Sequence, residues 1–490
     1  MKITRIKELL FQNRGIRQTI VKNVFWLTVG QVGSRLIRAV IIIYAARVLG
    51  AAEYGLFSYI LSIAALFTVF SDIGINQILT REAAQHSDRR LHYFSTSFWI
   101  KIFLFLLTAI LIIFVVPSFS KIEKMANLVY FAAFIVIFDG LREFCAAFFR
   151  AKEKMELEAL AIISTNAAIT ILGFAALYLL TTSQSLLFSY TTATALGAFV
   201  AVIALKDEFK KIISFFDKKL VKPIIGAAWP VALVGIIGAL MLNTDIIMLG
   251  WWRTAEEIGF YSASQKIIQL LYAFPAILAG AIFPTLSRLV SQKDNQKVKQ
   301  LMELGVIAVI LIGLPMAIGG FMLSGPLIKL VYGDQYLPTV PVFQILIFTV
   351  LIIFPATLIG NSLLAYHKQK KLAVYMGIAA TGNIVFNAIL IPFYGIIGAA
   401  IATIATQLLS NSLSWRLMKK INNFYTFRHL KKIIICALAM GIFSLIFNKL
   451  GVSVIINIIL SAGIYFSALY LIKEKLLDEI KGLVRLVRNN

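Results

Sequence analysis

The sequence predicts an all-α polytopic membrane protein with about 14 transmembrane helices. Its 490 residues are 60% apolar and only 14% charged, and the mean hydropathy is +0.86, which excludes an ordinary water-soluble globule. Apolar runs of roughly 20 residues, the length that crosses a bilayer, recur along the whole chain. The predicted spans are residues 24–50, 54–80, 92–116, 126–149, 157–181, 184–205, 222–250, 257–287, 300–323, 338–366, 372–391, 395–418, 431–448 and 452–472.

The basic residues predict the orientation of these spans. Of the 47 lysines and arginines, 36 lie in the two termini and in alternate connections, and five lie in the intervening loops. Because cytoplasmic loops retain positive charge, both termini are expected in the cytoplasm. The net charge of +24 follows mostly from this topology, so nucleic acid is not an expected partner. Residues 1–23 mix basic and apolar side chains, which is typical of an amphipathic arm on an anionic leaflet.

An internal repeat divides the chain. Residues 53–58, EYGLFS, resemble residues 257–262, EIGFYS, at an offset of 204 residues. The basic residues 150–154 correspond to residues 366–370, at an offset of 216 residues. A parallel repeat of two six-helix bundles is typical of alternating access around a midplane site. A fortuitous match between short strings is the alternative. The predicted segments are residues 1–23 (arm), 24–205 (first bundle), 206–222 (basic linker), 222–418 (second bundle) and 419–490 (two further helices and a basic tail).

Two arginines lie in the middle of the first span. By the helical rise, Arg35 lies about 16 Å and Arg38 about 21 Å from the start of this span, where an unpaired charge costs several kcal/mol. They lie one turn apart on one side of the helix, with Gln31 one turn before Arg35. Guanidinium forks suit phosphate oxygens. We therefore predict a cationic cavity for an anionic lipid-linked substrate, to which Lys266 of span eight also contributes.

Acidic residues in the spans leave two interpretations open. Asp72 of span two lies at a depth of about 12 Å, which permits an ion pair with Arg35. Such a pair could be purely structural, or it could leave the second guanidinium available for a diphosphate. In span four, Asp139 can pair with Arg142, and Glu143 then has no partner on its own helix. Glu143 is thus a candidate for a coupling proton. A satisfied interhelical network, or a span end that lies nearer to the water, is at least an equal alternative.

Asp245 lies in span seven and Lys266 in span eight. They could pair and close the outer side, or they could bind substrate or ion. Both cysteines, Cys145 and Cys436, fall within spans, so neither a disulfide framework nor a metal site is expected.

Four stretches resemble the polysaccharide repeat-unit flippases, the Wzx-type oligosaccharide-lipid flippases of the multidrug/oligosaccharidyl-lipid/polysaccharide exporter superfamily. Residues 46–57, ARVLGAAEYGLF, resemble the A-R-x-L-G-x-x-x-Y-G-x-F signature that opens this family. Residues 387–403, NAILIPFYGIIGAAIAT, are the most specific match, because a helix end at Pro392, a short turn at Gly395 and small residues are combined there. The other two stretches are residues 72–75 and residues 243–261.

The resemblance implies export of undecaprenyl-diphosphate-linked glycan from the inner to the outer leaflet of the plasma membrane. The expected partners are the bilayer, the lipid-linked glycan, a polysaccharide polymerase and glycosyltransferases. The sequence has no Walker motif, so a proton or sodium gradient is the expected drive and no cofactor is expected.

Three alternatives stay open. A lipid II flippase would share the basic cavity and differ only in its sugar. A multidrug exporter of the same fold would call for an acidic or aromatic cavity. A membrane glycosyltransferase or polymer ligase would need catalytic residues on a sizeable outer loop.

Overall fold

A computed structural model describes residues 15–122, 124–425 and 430–471. Most of the predicted N-terminal arm, the C-terminal tail and part of the connection after residue 425 lie outside the described residues. The described chain is almost wholly helical, which confirms the predicted all-α class. It forms two compact units, Met1–Gly259 and Phe260–Asn490.

Within its described residues, the first unit contains ten helices and begins the eleventh. A π-helical segment, Val29–Gly33, separates the first two. The helices are α1 (Ile16–Thr28), α2 (Ser34–Phe70), α3 (Ile75–Gln85), α4 (Arg90–Phe114), α5 (Val116–Phe119), α6 (Met125–Ala151), α7 (Met155–Leu179), α8 (Ser183–Ala204), α9 (Lys206–Lys210), α10 (Lys218–Trp252) and α11 (Ala255–Leu271).

Large apolar side chains hold the first unit together. Helices α6, α7 and α8 pack on one another, and α2 packs on α6, α7 and α10. Phe94 of α4 is fully buried between Phe144 and Phe148 of α6, with ring centroids 5.1 and 4.4 Å apart. Aromatic pairs at this separation add about 0.5–1.5 kcal/mol each to the free energy gained by burial. The interior of this unit is therefore rigid around α6.

The second unit contains the remaining helices of the part of the chain that the structure describes. A 3₁₀ segment, Asp334–Thr339, precedes α15. The helices are α12 (Ala273–Ser291), α13 (Asn295–Met322), α14 (Ser324–Tyr332), α15 (Val340–Leu346), α16 (Thr349–Ala365), α17 (Gln369–Ile421), α18 (Leu430–Lys449) and α19 (Val454–Leu471).

The last two helices are joined to the second unit through α13. Helix α18 packs on both α13 and α19, and the buried Tyr465 of α19 donates its hydroxyl to the carbonyl oxygen of Leu311 at 2.9 Å. Asn457 donates to the carbonyl oxygen of Ser444 at 2.9 Å, so polar groups also join α19 to α18. The predicted spans thirteen and fourteen thus pack as a pair.

The structure does not confirm the count of 14 spans. Within the described residues, ten helices are long and apolar enough to cross a membrane, or eleven if the bent pair Asp334–Leu346 and Thr349–Ala365 is one span. Two long helices each contain two predicted spans. Helix α2 is interrupted at Gly50 (φ 73°) and α17 at Gly395 (φ 56°), where a left-handed backbone interrupts the helix. The predicted turn thus lies at Gly395, whereas Pro392 lies inside the helix.

The second predicted span, residues 54–80, is not one helix. Helix α2 ends at Phe70, and a turn through Ile73 (φ 42°) and Gly74 (φ 81°) leads into α3. Asp72 lies in this turn and accepts a hydrogen bond from the backbone N–H of Asn76 at 3.2 Å. Its side chain therefore satisfies a free donor at the start of α3.

Helix α10, which is the seventh predicted span, packs on α2, α3 and α4 of the first unit. The sequence assigned this span to the second bundle. The bundle boundaries at residues 205 and 222 stay a prediction.

Candidate functional site

Arg38 lies where three helices of the first unit meet. Its Nε donates to Oδ1 of Asn166 on α7 at 3.0 Å, and its guanidinium carbon lies 5.6 Å from the ring centroid of Tyr190 on α8. Asn166 in turn donates to the carbonyl oxygen of Ile162 at 2.8 Å, which fixes the orientation of its amide. Both partners of Arg38 are neutral. They orient the guanidinium without cancelling its charge.

Four other cations of the first unit are paired differently. Each contacts at least one carboxylate at 3.3 Å or less. These are Lys22 with Glu156, Lys101 with Asp72, Arg142 with Asp139 and Glu143, and Arg150 with Glu143 and Glu158. No carboxylate in the described part of the chain lies within 4.0 Å of the Arg38 guanidinium. Arg38 thus differs from these four cations, because it has no acidic partner among the described residues.

Asp72 pairs with Lys101 and not, as the sequence analysis allowed, with Arg35. The Lys101 ammonium lies 3.1 Å from Oδ1 of Asp72, its side chain is fully buried, and it lies 4.9 Å from the ring centroid of Phe105. The same depth argument could have found this partner, because Lys101 lies about 14 Å from the start of span three. The side chain of Arg35 lies outside the described residues.

Helix α6 carries a connected set of ion pairs. The predicted local pair is confirmed, since Arg142 lies 3.3 Å from Asp139. The expectation that Glu143 has no partner on its own helix is wrong. Its two carboxylate oxygens lie 3.0 Å from Arg142 and 3.3 Å from Arg150. The prediction failed because α6 extends through Arg150, which the sequence analysis placed in a cytoplasmic loop.

Arg150 links this set to helix α7. It forms a bidentate pair with the buried Glu158, in which Nε donates to Oε2 at 3.0 Å and Nη2 donates to Oε1 at 2.8 Å. Two parallel N–H···O bonds fix the geometry of such a pair as well as its charge. The network therefore joins α6 to α7 beside the Arg38 cluster.

Tyr190 connects the two groups of charges. Its hydroxyl lies within electrostatic range of Arg38, Asp139 and Arg142, and its side chain is buried. Asn166 was interpreted from the sequence only as an interhelical hydrogen-bonding residue, and Tyr190 carried no sequence signal. The structure alone brings them to Arg38.

The remaining predicted site residues are distributed over both units. Gln31 is exposed in the π-helical segment, Asp245 is buried in α10, and Lys266 is partly buried in α11. Asp245 and Lys266 both have contacts to other residues. Lys266 belongs to the second unit, so its place in one cavity with Arg38 stays a prediction.

The second unit has a cleft of about 330 Å³ between α16 and the second half of α17. Its wall on α16 is apolar, and its wall on α17 carries Asn411, Ser412 and Arg416. The predicted site residues do not line it. Within the described residues, no group of three or more potential ligands could hold a metal ion.

Long apolar helices with ion pairs buried between them define a multi-pass helical membrane protein. The chain belongs to the polysaccharide biosynthesis protein family, whose model matches residues 20–290, more than half of the sequence. The MatE family model matches residues 230–389. These matches confirm the predicted family.

Curated relatives are similar at low identity. A putative O-antigen transporter of Shigella flexneri is 23% identical over 78% of this chain and 94% of its own length. The probable flippase AglR of Haloferax volcanii is 28% identical over 36% of this chain. The alignments with AglR and with Agl15, a probable low-salt glycan biosynthesis flippase of the same organism, cover only 37% and 34% of those two proteins.

Solved structures share the fold. The lipid II flippase MurJ in an inward closed conformation matches with a TM-score of 0.75 at 16% identity, over 93% of this chain and all of that one. An inward-facing multidrug resistance MATE transporter matches with a TM-score of 0.61 at 12% identity, over 79% of this chain and 98% of that one. At these identities the likeness defines the fold alone.

Proposed function

We propose that this protein is a flippase that moves a polyprenyl-diphosphate-linked glycan from the inner to the outer leaflet of the plasma membrane by alternating access. Family membership supports the proposal, and so do the flippase and O-antigen transporter names of the relatives. The single structural observation that carries it is Arg38. A guanidinium that is held inside a helical unit by neutral partners retains its charge for an anion.

The chemistry of a diphosphate fits this arrangement. Moving an ionised diphosphate through hydrocarbon is prohibitive unless its charge is compensated, and this desolvation is the main barrier to spontaneous flipping. Because Nε of Arg38 is bonded to Asn166, the two terminal nitrogens remain to donate to phosphate oxygens as a fork. On this proposal, Arg35, Gln31 and Lys266 extend the cationic cavity, while the polyprenyl chain stays in lipid.

The acidic residues have different roles in this proposal. Asp72, Asp139 and Glu143 each contact a cation, so we assign them to charge pairing that holds helices in place. Asp245, which is buried in α10, is the remaining candidate for coupling to a proton or sodium gradient. We also propose that both termini lie in the cytoplasm, which the distribution of lysine and arginine supports. A glycosyltransferase would supply the substrate, and a polymerase would use the product.

Proteoliposomes that contain a labelled polyprenyl-diphosphate oligosaccharide test the proposal. A membrane-impermeant glycosidase measures how much headgroup reaches the outer leaflet. Wild-type protein should move the lipid, Arg38→Ala should reduce the rate by at least tenfold, and the control Arg81→Ala, at an exposed arginine, should leave it unchanged. Arg38→Lys retains the charge but not the fork, so an intermediate rate is expected.

Two results would overturn the proposal. One is a wild-type protein that moves no polyprenyl-diphosphate glycan, and the other is a folded Arg38→Ala variant with the wild-type rate. Parallel assays with lipid II and with a polysaccharide repeat unit compare the two glycan classes.

A further inference from the structure

The cleft between α16 and α17 changes from polar to apolar along its length. It has a volume of about 330 Å³ and lies entirely within the second unit. On α17, Arg416 lies nearest to the end of the helix, Ser412 lies one turn further in, and Leu408 lies one turn beyond that. By the helical rise, about 12 Å separates Arg416 from Leu408 along the helix axis. The cleft thus has a cationic end and an apolar end.

The facing wall of α16 is aliphatic along its whole length. It consists of Leu351, Ile352, Pro355, Ala356 and Ile359. None of these side chains can form a hydrogen bond. A sugar ring placed here would lose hydrogen bonds to water without replacing them on this side. The wall therefore fits a hydrocarbon chain better than it fits a glycan.

The polar side chains of the α17 wall are available to a ligand. Among the described residues, Arg416 has no ion-pair partner and Ser412 has no hydrogen-bond partner. Asn411 donates to the carbonyl oxygen of Gln407 at 2.8 Å, which leaves its own Oδ1 as an acceptor. The described residues that line the cleft include no acidic side chain. The cleft therefore offers one positive charge and a few neutral polar groups.

A phospholipid carries its chemical groups in the matching order. Its phosphate lies at the membrane surface, its ester groups lie next, and its acyl chains lie deepest. The Arg416 guanidinium can donate to phosphate oxygens, and the Ser412 hydroxyl can donate to an ester carbonyl. An acyl chain would then cover Leu408, which is 49% exposed, and the aliphatic wall of α16.

The charge of the cleft selects among phospholipids. One guanidinium balances one phosphodiester, so a headgroup of net charge −1 is matched. A zwitterionic headgroup would bring an ammonium group for which the described residues of the cleft supply no carboxylate. A diphosphate would bring more negative charge than one guanidinium compensates. The chemistry therefore favours a headgroup that combines one phosphodiester with neutral hydroxyl groups.

The cationic end lies at the level of lipid headgroups. Arg416 is in the last turns of α17, and Lys419 and Lys420 follow it on the same helix. With the cytoplasmic termini proposed above, this end faces the inner leaflet. Basic pockets between membrane helices on that side are typical binding sites for anionic headgroups. Trp415, which also lines the cleft, has the amphipathic ring that is common at this level.

We infer that the cleft between α16 and α17 binds one anionic phospholipid of the inner leaflet, phosphatidylglycerol in its chemistry, with the phosphate on Arg416 and an acyl chain along α16. The bound lipid would bridge the two helices as a fixed part of the protein. This inference does not depend on the proposed flippase function, because the ligand is a lipid of the bilayer and not the transported glycan.

Native mass spectrometry of the purified protein, titrated with phosphatidylglycerol in neutral detergent, tests the inference. The wild-type protein should retain one tightly bound lipid, and Arg416→Ala should reduce its occupancy at least fivefold. Ala356→Phe fills the cleft from the aliphatic wall without changing the charge, so it should cause a similar loss. The matched control Lys370→Ala removes an exposed lysine at the other end of α17, outside the cleft, and should retain the wild-type occupancy.

Wild-type occupancy in both folded variants would overturn the inference, with thermal unfolding as the check on folding. If Ala356→Phe fails to fold, Arg416→Ala decides alone, since Arg416 is exposed. Equal retention of phosphatidylcholine would reject the selection for an anion, and displacement of the lipid by equimolar glycerol phosphate would reject the role of the acyl chain. Displacement by a polyprenyl-diphosphate glycan would assign the cleft to the transported substrate instead. Specific lipid binding by a protein that moves no glycan would reject the flippase function and retain the lipid site.

Discussion

Removal of the Lys101 ammonium should strongly destabilise the protein. In Lys101→Met, the apolar stem is retained, and the carboxylate of Asp72 loses the partner that lies 3.1 Å away. Removing one member of a buried ion pair costs about 3–5 kcal/mol, because the other charge is left uncompensated. Asp72 is 17% exposed and still accepts the N–H of Asn76, so we expect about 3 kcal/mol.

The double variant Asp72→Asn/Lys101→Met isolates the cause. It removes both charges and retains the shape, so its free energy of unfolding should lie within about 1 kcal/mol of wild type. The control is Lys210→Met, whose partner Asp207 is 72% exposed, and its effect should stay below about 1 kcal/mol. Denaturant unfolding in detergent, followed by tryptophan fluorescence, measures all three.

The reasoning would be refuted if Lys101→Met alone were as stable as the double variant. The pair would then carry no net stabilisation. If the double variant is stable and also exports glycan at the wild-type rate, the pair is structural and Asp72 is not a coupling site. If the double variant has wild-type stability but no longer exports glycan, Asp72 takes part in transport.

Two further predictions concern single positions. Gly395→Ala places a Cβ on a residue with φ 56° and ψ −134°, so it should lower the free energy of unfolding by about 1 kcal/mol or more. The control Gly360→Ala, at a helical glycine with open space around it, should be neutral or slightly stabilising. Thermal unfolding of both variants measures the difference, and equal midpoints would contradict the strain argument. Glu158→Gln removes the bidentate partner of Arg150 and leaves Glu143 as its acidic contact, so the free energy of unfolding should fall by about 2 kcal/mol. An unchanged unfolding midpoint would show that this pair does not join α6 to α7.

Several features of the chain were predictable because they depend on local sequence. Apolar runs of sufficient length identify membrane helices whatever they pack against. The position of the turn at Gly395 followed from the residues around it. The repeat of 204 residues was visible as two short strings. None of these needed a contact between distant parts of the chain.

The partners of the charged residues were not predictable in the same way. Depth along a helix limits which charges can meet, but it does not choose between Arg35 and Lys101 as the partner of Asp72. Glu143 was misjudged because Arg142 contacts both Asp139 and Glu143, and because the end of α6 was placed two residues too early, which left Arg150 off the helix. Asn166 and Tyr190 were not assigned to the site, since a neutral side chain in a span has many uses.

A multi-pass, all-helical membrane protein of the polysaccharide biosynthesis family could be recognised before any contact was known, because apolar length, basic loops and family motifs are local properties. The packing of the helices, in contrast, determines that Arg38 meets the neutral Asn166 and Tyr190, and that Asp72 meets Lys101. Both depend on how helices far apart in the chain are rotated against one another. A helix rotation of one residue position, about 100°, would change every one of those contacts and leave the hydropathy unchanged.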